Sequence, residues 1–276
     1  MLSVSLLASS NIHDPQAGLF FAKSTPFKPL QDLTPTNNDT GMAQYVSVPI
    51  YDRVTDAIWT LAEYNRVLYR IYLEDDMTCP ALPDFPMIPE GLRVEEVRMC
   101  PEVKKLFKCS ARLDCGADAI IRVLDEDPTV VMKFAMPMPL ARARLSNELA
   151  LLQYMQHLPL PIPALKGHAF ADEDGLIAFC MDRLYEWKPK EENDLQHTLR
   201  KILEQLHSYG ICHNDLREAN LMQDAASTPI LIDFGHSGFI GQPIPDLLRD
   251  DDNMETPNAI FDVVADQNAI SLARLG

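Results

Sequence analysis

Two short segments of the chain carry polar side chains at a spacing suited to phosphate chemistry. Residues 213–221 read His-Asn-Asp-Leu-Arg-Glu-Ala-Asn-Leu, and residues 231–235 read Leu-Ile-Asp-Phe-Gly. Asp215 and Asn220 are five residues apart, and Asp233 follows Asp215 by eighteen. Carboxylate and amide oxygens of this kind hold Mg²⁺ against phosphates, and a carboxylate can orient an attacking hydroxyl. The residues therefore indicate phosphoryl transfer if the fold brings them together.

The two segments resemble the catalytic loop and the Asp-Phe-Gly magnesium motif of the protein kinase superfamily. On this resemblance Asp215 would be the catalytic base that orients the acceptor hydroxyl, while Asn220 and Asp233 would bind Mg²⁺. Arg217 stands where family members often carry a cation that meets the γ-phosphate during transfer. The histidine and the phenylalanine of the two motifs would pack against the loops and fix them.

A lysine inside an apolar run adds a third element. Residues 119–135 contain two apolar stretches around an Asp-Glu-Asp-Pro turn, which predicts a β-hairpin. Lys133 lies in the second strand, where a lysine is rare unless its ammonium has a partner. The alternative is an edge strand whose lysine reaches solvent. The resemblance favours a partner, because Lys133 would hold the α- and β-phosphates while Glu148, on the following helix, would orient it.

The resemblance also assigns residues to the base of the nucleotide. Residues 176–181 form an apolar run that reads as a buried strand ending at Met181. Met181 and Asp182 would lead into the hinge beside the adenine, where the backbone makes the contacts. Val131 and Met222 would sandwich the adenine ring, a role open to any apolar side chain. ATP and Mg²⁺ are therefore the expected cofactors.

The loop that should cover the phosphates departs from the family pattern of three glycines. Gly116 lies where the last glycine is expected, whereas Ala111 and Leu113 stand at the first two positions. Leucine adopts positive φ angles only with strain. We therefore expect either a loop shifted in register or weaker nucleotide binding.

Helical periodicity places the elements around these residues. Apolar residues recur on one stripe of residues 140–157, with Glu148 on its flank, and again over residues 194–209. Gly210 would end the second helix just before the catalytic segment. A third helix is predicted over residues 261–275, where Asp266 is the candidate for the family's buried carboxylate that braces the catalytic loop.

The first hundred residues lack the motifs. Residues 1–45 are rich in polar residues and proline and are expected to be a flexible leader. Apolar residues at helical spacing within residues 46–73 predict an amphipathic helix, packed on the domain or, alternatively, binding a partner. Four prolines within residues 74–89 mark a linker. Residues 46–99 are thus predicted to be an N-terminal helical extension and a Pro-rich linker.

The predicted fold class is α+β, with a bilobal protein kinase-like domain over residues 100–276. A small antiparallel sheet with one helix would occupy about residues 100–180, using short apolar stretches such as Leu106–Ser110 as strands. A hinge near residues 181–187 would lead into a mainly helical lobe over about residues 185–276. That lobe is expected to be truncated, because the family's Ala-Pro-Glu and its later helices have no counterpart here.

Composition limits the partners and the compartment. With 40 acidic and 24 basic residues the net charge is −16, which argues against nucleic acid as the main partner. Six cysteines without a CxxC pair read as free thiols in a reducing compartment. No convincing signal peptide or membrane span is seen. The expected location is intracellular, either cytoplasmic or nuclear, and the oligomeric state is open.

Together these features predict an ATP- and Mg²⁺-dependent phosphotransferase, most similar to protein kinases that phosphorylate a protein hydroxyl. The Asp-Leu-Arg-x-Ala-Asn stretch looks less like aminoglycoside or choline phosphotransferases, which often carry His-Gly-Asp. A small-molecule kinase of that type remains an alternative. A pseudokinase that binds nucleotide or acts as a scaffold is another, favoured by the missing glycines. A non-catalytic interaction protein built on the 51–73 helix and the acidic surface has little positive support.

Overall fold

The computed structural model describes residues 43–47, 49–52, 57–73, 79, 85, 91–188, 194–245, 248 and 259–272. Residues 1–42 of the predicted leader, most of the proline-rich linker and residues 249–258 lie outside these residues, whereas the last residues of the leader form the strand Gln44–Tyr45. The described residues form an α+β structure, as predicted, in which every strand pairing is antiparallel.

The strands form four sheets. The first contains β1 (Gln44–Tyr45), β2 (Ile50–Asp52), β3 (Ala57–Tyr64), β4 (Val67–Leu73) and β5 (Val94–Glu96). The second contains β6 (Ser110–Cys115), β7 (Ala119–Leu124), β8 (Val130–Ala135), β9 (Leu165–Asp172) and β10 (Gly175–Asp182), in the order β6-β7-β8-β10-β9. The third contains β11 (Tyr185–Glu186), β13 (Leu221–Gln223) and β14 (Pro229–Leu231), and the fourth pairs β12 (Ile211–Cys212) with β15 (Gly238–Phe239).

The four helices are α1 (Pro101–Lys108), α2 (Pro139–Met155), α3 (Asp194–Ser208) and α4 (Val264–Leu272). Three match predicted helices, and Gly210 follows α3 at a φ of +74°, the left-handed conformation expected after a helix end. The predicted β7–β8 hairpin is confirmed as well. None of the helices in the described part of the chain is long and apolar enough to cross a bilayer. All six cysteines are free, as predicted.

The helix predicted within residues 46–73 is wrong, because this segment forms β-strands. Its apolar residues are so dense that they match a helical period, yet their aromatic and aliphatic side chains suit a strand equally well. β3 and β4 pair along their length up to Tyr64 and Val67. The two residues between them, Asn65 and Arg66, have φ angles of 47° and 56°, as a type I′ hairpin turn requires.

The strand expected at Leu106–Ser110 is also wrong, because most of this stretch belongs to α1. Pro101 occupies the first turn, a position where its missing N–H costs nothing. Val103, Leu106 and Phe107 are buried on one face of the helix. The strand begins only at Ser110, after the helix has ended.

A buried ion pair joins the first sheet to the second. Arg122 on β7 is fully buried and donates from Nη1 to both carboxylate oxygens of Glu63 on β3, each at 2.8 Å. Its Nε donates to the Ser110 hydroxyl at 2.9 Å, and its guanidinium stacks on the Phe107 ring at 3.8 Å. Because every part of the guanidinium has a partner, this contact fixes the first sheet against the strands that approach the site.

Arg122→Met is expected to lower the free energy of unfolding by about 1–3 kcal/mol, since Glu63 loses its bidentate donor in a nearly buried position. The loss stays moderate because Arg112 lies 4.0 Å from the same carboxylate. Chemical denaturation measures the change. Arg93→Met is the matched control: Arg93 pairs with Glu95 at 2.6 Å on the exposed surface and should give no measurable change. Equal effects of the two variants would contradict the assignment.

Candidate functional site

The hairpin of β13 and β14 brings two of the predicted polar residues together. Asn220 immediately precedes β13, and Asp233 follows the end of β14 by two residues. The strands pair with Leu221 opposite Leu231, so both polar residues lie at the open end of the hairpin. The N–H of Ile232 also donates to the Asn220 carbonyl at 2.9 Å. Local pairing alone therefore brings the backbones of these two segments together.

Lys133 connects this hairpin to the second sheet and to α2. It lies on β8, a central strand, and only 8% of its surface is exposed. Its ammonium donates to Glu148 Oε2 at 2.6 Å and to Asp233 Oδ1 at 3.1 Å. The prediction that this lysine has a carboxylate partner, rather than reaching solvent from an edge strand, is confirmed.

The charges in this cluster are mutually stabilised. Burial works against the charged form of Lys133, but the carboxylates of Glu148 and Asp233 outweigh it and raise the pKa of the ammonium above its usual value. Burial also opposes ionisation of Asp233, yet the adjacent Lys133 ammonium lowers the pKa of that carboxyl. Asp233 is therefore ionised at neutral pH and available as an oxygen ligand.

Asp215 and Arg217 form a pair at the edge of the same cluster. Arg217 Nη2 donates to Asp215 Oδ2 at 2.7 Å, and the arginine side chain is largely exposed. Asn220 Nδ2 donates to the Asp215 carbonyl at 2.7 Å and lies 3.3 Å from Asp215 Oδ2. This bond directs the Asn220 amide oxygen away from Asp215. Asp215, Arg217 and Asn220 are thus joined by hydrogen bonds within the first motif.

A buried carboxylate on α4 holds the backbone of the first motif. Asp266 is fully buried and accepts from the N–H of His213 at 2.9 Å and from that of Asn214 at 2.8 Å. Asn214 has a φ of 63°, a left-handed conformation that needs such support. His207, near the end of α3, contacts Asp266 Oδ2 at 2.9 Å, the same oxygen that accepts from the His213 N–H. The bracing expected of Asp266 is present, whereas nothing in the spacing of the sequence marked His207.

His213 joins the two motifs from the interior. Its Nε2–H donates to the Ile232 carbonyl at 2.9 Å, and its ring lies 5.0 Å from that of Phe234 in an edge-to-face arrangement. The Ser237 hydroxyl donates to the His213 carbonyl at 2.9 Å. The structure therefore supports the packing role predicted for His213 and Phe234, both of which are fully buried.

Burial lowers the pKa of His213, so its imidazole is neutral in the folded protein. The unfolded chain takes up a proton near pH 6.5 that the folded chain does not, and stability should fall as the pH drops below that value. His213→Gln should flatten this slope by up to about 1.4 kcal/mol per pH unit. Denaturant unfolding at several pH values measures it. His197→Gln, at an exposed position on α3, should leave the slope unchanged; an unchanged slope in His213→Gln would contradict the burial effect.

The residues assigned to the adenine lie on or next to three strands, β8, β10 and β13. Val131 and Met181 are register partners on β8 and β10, and both are buried. Met222 on β13 pairs with Glu186 on β11, a short strand that lies within the predicted hinge. Asp182 forms an ion pair with Lys166 at 3.0 Å through its side chain. The hinge segment is thus tied to the hairpin that carries Asn220.

The loop between β6 and β7 does not have the three-glycine pattern of the protein kinase superfamily. Ala111 and Leu113, which stand at the positions of the first two glycines, lie within β6 rather than in the turn. Gly116 lies in the turn as predicted, but its φ is not in the left-handed region and an added Cβ would meet only the Ala119 carbonyl, at 3.9 Å. The turn is held by Asp118, which pairs with Arg144 on α2 at 3.1 Å. A side-chain contact, rather than glycine, shapes this loop.

The donor set suits a hard cation. Within the residues described, no group of three or more His, Cys, Asp or Glu side chains converges as a metal cage. The candidate ligands are instead one amide oxygen and one ionised carboxylate, from Asn220 and Asp233. Magnesium in proteins is commonly bound by one or two such oxygens together with substrate phosphates. The residues therefore fit a magnesium ion that is shared with a phosphate ligand.

Comparisons with known proteins add a partial structural likeness. No protein-family model matches the chain, and no curated protein matches it. A solved structure of the bifunctional kinase-methyltransferase WbdD is similar over 44% of this chain, at 20% sequence identity and a TM-score of 0.37. The chain covers 30% of that structure, less than a third of its length.

Proposed function

We propose that the described residues form a protein kinase-like fold and that the chain is an ATP- and Mg²⁺-dependent phosphotransferase. One observation carries the proposal: the buried Lys133 ammonium contacts Glu148 at 2.6 Å and Asp233 at 3.1 Å, and Asp233 follows the same hairpin that Asn220 precedes. These residues come from three separate parts of the chain. In phosphoryl transfer a buried lysine of this kind binds phosphate oxygens, and nearby carboxylate and amide oxygens bind the metal ion.

In this proposal each residue has a distinct part. Lys133 binds the α- and β-phosphates of ATP, and Glu148 holds the ammonium in place. Asn220 and Asp233 would hold Mg²⁺, which supplies neutralisation of the phosphate charges. The lowered pKa of Asp233 supports this assignment, because an ionised carboxylate is the stronger ligand. Val131, Met181 and Met222 would line the adenine side, with the backbone of Asp182 leading into the hinge.

Asp215 orients the acceptor hydroxyl and accepts its proton as the bond to phosphorus forms. Arg217 is exposed and bonded to Asp215, so it can turn towards the phosphate without leaving the site. The acceptor is proposed to be a protein hydroxyl. The resemblance of residues 215–220 to protein kinases supports this choice over small hydroxylated molecules.

A pseudokinase is the second candidate, and one observation favours it. The β6–β7 turn carries no residue at positive φ, and Asp118 places a negative charge at its tip. A carboxylate there is unfavourable beside phosphates. The intact set of Lys133, Glu148 and Asp233 favours the enzyme instead.

The test is transfer of labelled phosphate from ATP in the presence of Mg²⁺. The full chain would be offered itself, a library of Ser, Thr and Tyr peptides, and choline and aminoglycosides as acceptors. We expect transfer to a protein hydroxyl, and we expect Asp215→Asn to bind ATP as the unmodified chain does while losing transfer. ATP binding without transfer to any acceptor would favour the pseudokinase. Transfer to a small molecule alone would reassign the acceptor class.

A further inference from the structure

Asn147, the residue before Glu148 on α2, contacts three backbone carbonyls in and just after the Asp-Phe-Gly segment. Its Nδ2 lies 3.0 Å from the Gly235 carbonyl, 2.8 Å from that of Ser237 and 3.4 Å from that of Phe234. A side-chain amide has two N–H donors, so the two shorter bonds use both. The third carbonyl shares one of them at longer range.

The segment that Asn147 holds begins at a backbone position that needs support. Asp233 has φ 68° and ψ 62°, a left-handed conformation that is less favourable for aspartate than for glycine and is stabilised by its surroundings. The next residues form a short 3₁₀ turn over Phe234–His236. Bonds to the carbonyls of this turn therefore help to determine where the Asp233 carboxylate points.

Helix α2 contacts this turn through neighbouring side chains. Glu148 accepts a hydrogen bond from the N–H of Phe234 while it holds Lys133. The Cβ of Arg144 packs so closely on Gly235 that an added Cβ there would lie 3.2 Å away. Asn147 supplies the donors and Glu148 the acceptor, so the polar groups of the turn face the helix. One helix face thus sets the positions of both the lysine and the metal-binding loop.

We propose that Asn147 is a positioning residue that sets the affinity of the site for magnesium by fixing the Asp233 carboxylate. The inference rests on the proposed function, since it assigns Asp233 as a magnesium ligand. Asn147 does not itself touch the metal or the nucleotide in this account. It acts through the backbone of residues 234–237.

Asn147→Asp tests the proposal with little change in shape. The new carboxylate has no N–H and faces three carbonyl oxygens, so the turn loses its tether to α2. We expect the Mg²⁺ concentration for half-maximal ATP binding to rise by about tenfold or more, as for other residues that orient metal ligands. At saturating Mg²⁺ the kcat should recover most of its original value. Asn147→Gln keeps the two donors and should restore part of the affinity.

The matched control lies on the same helix. Gln156, at the C-terminal end of α2, donates from Nε2 to the Pro163 carbonyl at 2.9 Å, outside the site. Gln156→Glu makes the same chemical change and removes a similar bond. Gln156→Glu should leave the Mg²⁺ requirement unchanged. If the weaker Mg²⁺ binding of Asn147→Asp came only from lower stability, Gln156→Glu would show it as well.

A second readout does not depend on activity. Hydrogen exchange of the amides of residues 234–237, measured without nucleotide, should be faster in Asn147→Asp and unchanged in Gln156→Glu. If Asn147→Asp prevents folding, Asn147→Ser, which keeps one donor, takes its place. An unchanged Mg²⁺ requirement or unchanged exchange would overturn the inference. If the unmodified chain binds no ATP with Mg²⁺, the proposed function fails and the magnesium role falls with it, while faster exchange would still show that Asn147 holds the turn.

Discussion

Asp233→Asn should remove phosphoryl transfer, lowering kcat/KM on the order of 10³-fold or more. The substitution keeps the shape of the side chain but removes the ionised ligand whose pKa the Lys133 ammonium lowers. It also takes away one of the two carboxylates that hold Lys133, the one at 3.1 Å. Both effects act on the phosphates, so ATP binding in the presence of Mg²⁺ should weaken together with turnover.

Asp224→Asn provides the matched control for this variant. Asp224 caps the turn at the opposite end of the same hairpin, where it accepts from the N–H groups of Ala226 and Thr228 at 2.9 and 2.8 Å. Asparagine can make the same bonds, so turnover should not change. Steady-state kinetics with Mg²⁺ and ATP measures both variants. Retention of more than a tenth of the activity in Asp233→Asn would contradict its assignment as a metal ligand.

Asp266→Ala should cause the largest loss of stability of the substitutions considered, about 3–5 kcal/mol in the free energy of unfolding. The buried carboxylate accepts from two backbone amides and contacts His207, and alanine would leave all three groups in the interior without a partner. The backbone at Asn214, which has a positive φ, would lose its support. Turnover should therefore fall as well, because Asp215 follows directly.

Asp266→Asn should lie between the unmodified chain and Asp266→Ala, because its amide oxygen can still accept from one backbone N–H. Asp262→Asn is the control near the start of α4, where Asp262 accepts from the N–H of Val264 at 2.8 Å on the surface. Asparagine caps a helix about as well as aspartate, so stability should change far less. Thermal and chemical unfolding distinguish these cases. A stability loss in Asp266→Ala no larger than that in Asp262→Asn would show that the carboxylate does not brace the loop.

Much of the site could be predicted because its residues sit on strongly patterned segments. Lys133 stands out as a charge in an apolar strand, and Glu148 follows from the apolar stripe of α2. Asn220 and Asp233 are brought together by a hairpin whose two strands are close in sequence. Local pattern therefore marked these four residues, and the resemblance to protein kinases supplied their expected partners.

Contacts between distant segments could not be predicted in the same way. Asn147 meets carbonyls nearly ninety residues further along the chain, and the spacing of an asparagine on a helix does not reveal which backbone it will face. His207 and Arg144 are similar cases, since each acts through a partner on another element. Every residue has a backbone carbonyl, so the sequence does not show which carbonyl a side chain will contact. Side chains that serve them are visible only once the fold is known.

The prediction of a helix within residues 46–73 was wrong for a different reason. Residues 57–73 are so rich in aliphatic and aromatic residues that both a helical and a strand period fit them. Asn65, in the middle of this run, was the available signal for a tight turn. The buried pair of Glu63 and Arg122 then ties the resulting hairpin to β7. The length of the apolar run did not distinguish a helix from a hairpin, because the turn residues Asn65 and Arg66 determine that the chain reverses here.

Magnesium-dependent binding of ATP, measured by calorimetry on the full chain, tests the central claim most directly. The account predicts binding that requires Mg²⁺ and is lost in Lys133→Met, which removes the ammonium between Glu148 and Asp233. Lys104→Met, which breaks a surface pair with Glu96, should bind as the unmodified chain does. Absence of ATP binding by the unmodified chain, or equal binding by Lys133→Met, would contradict the account.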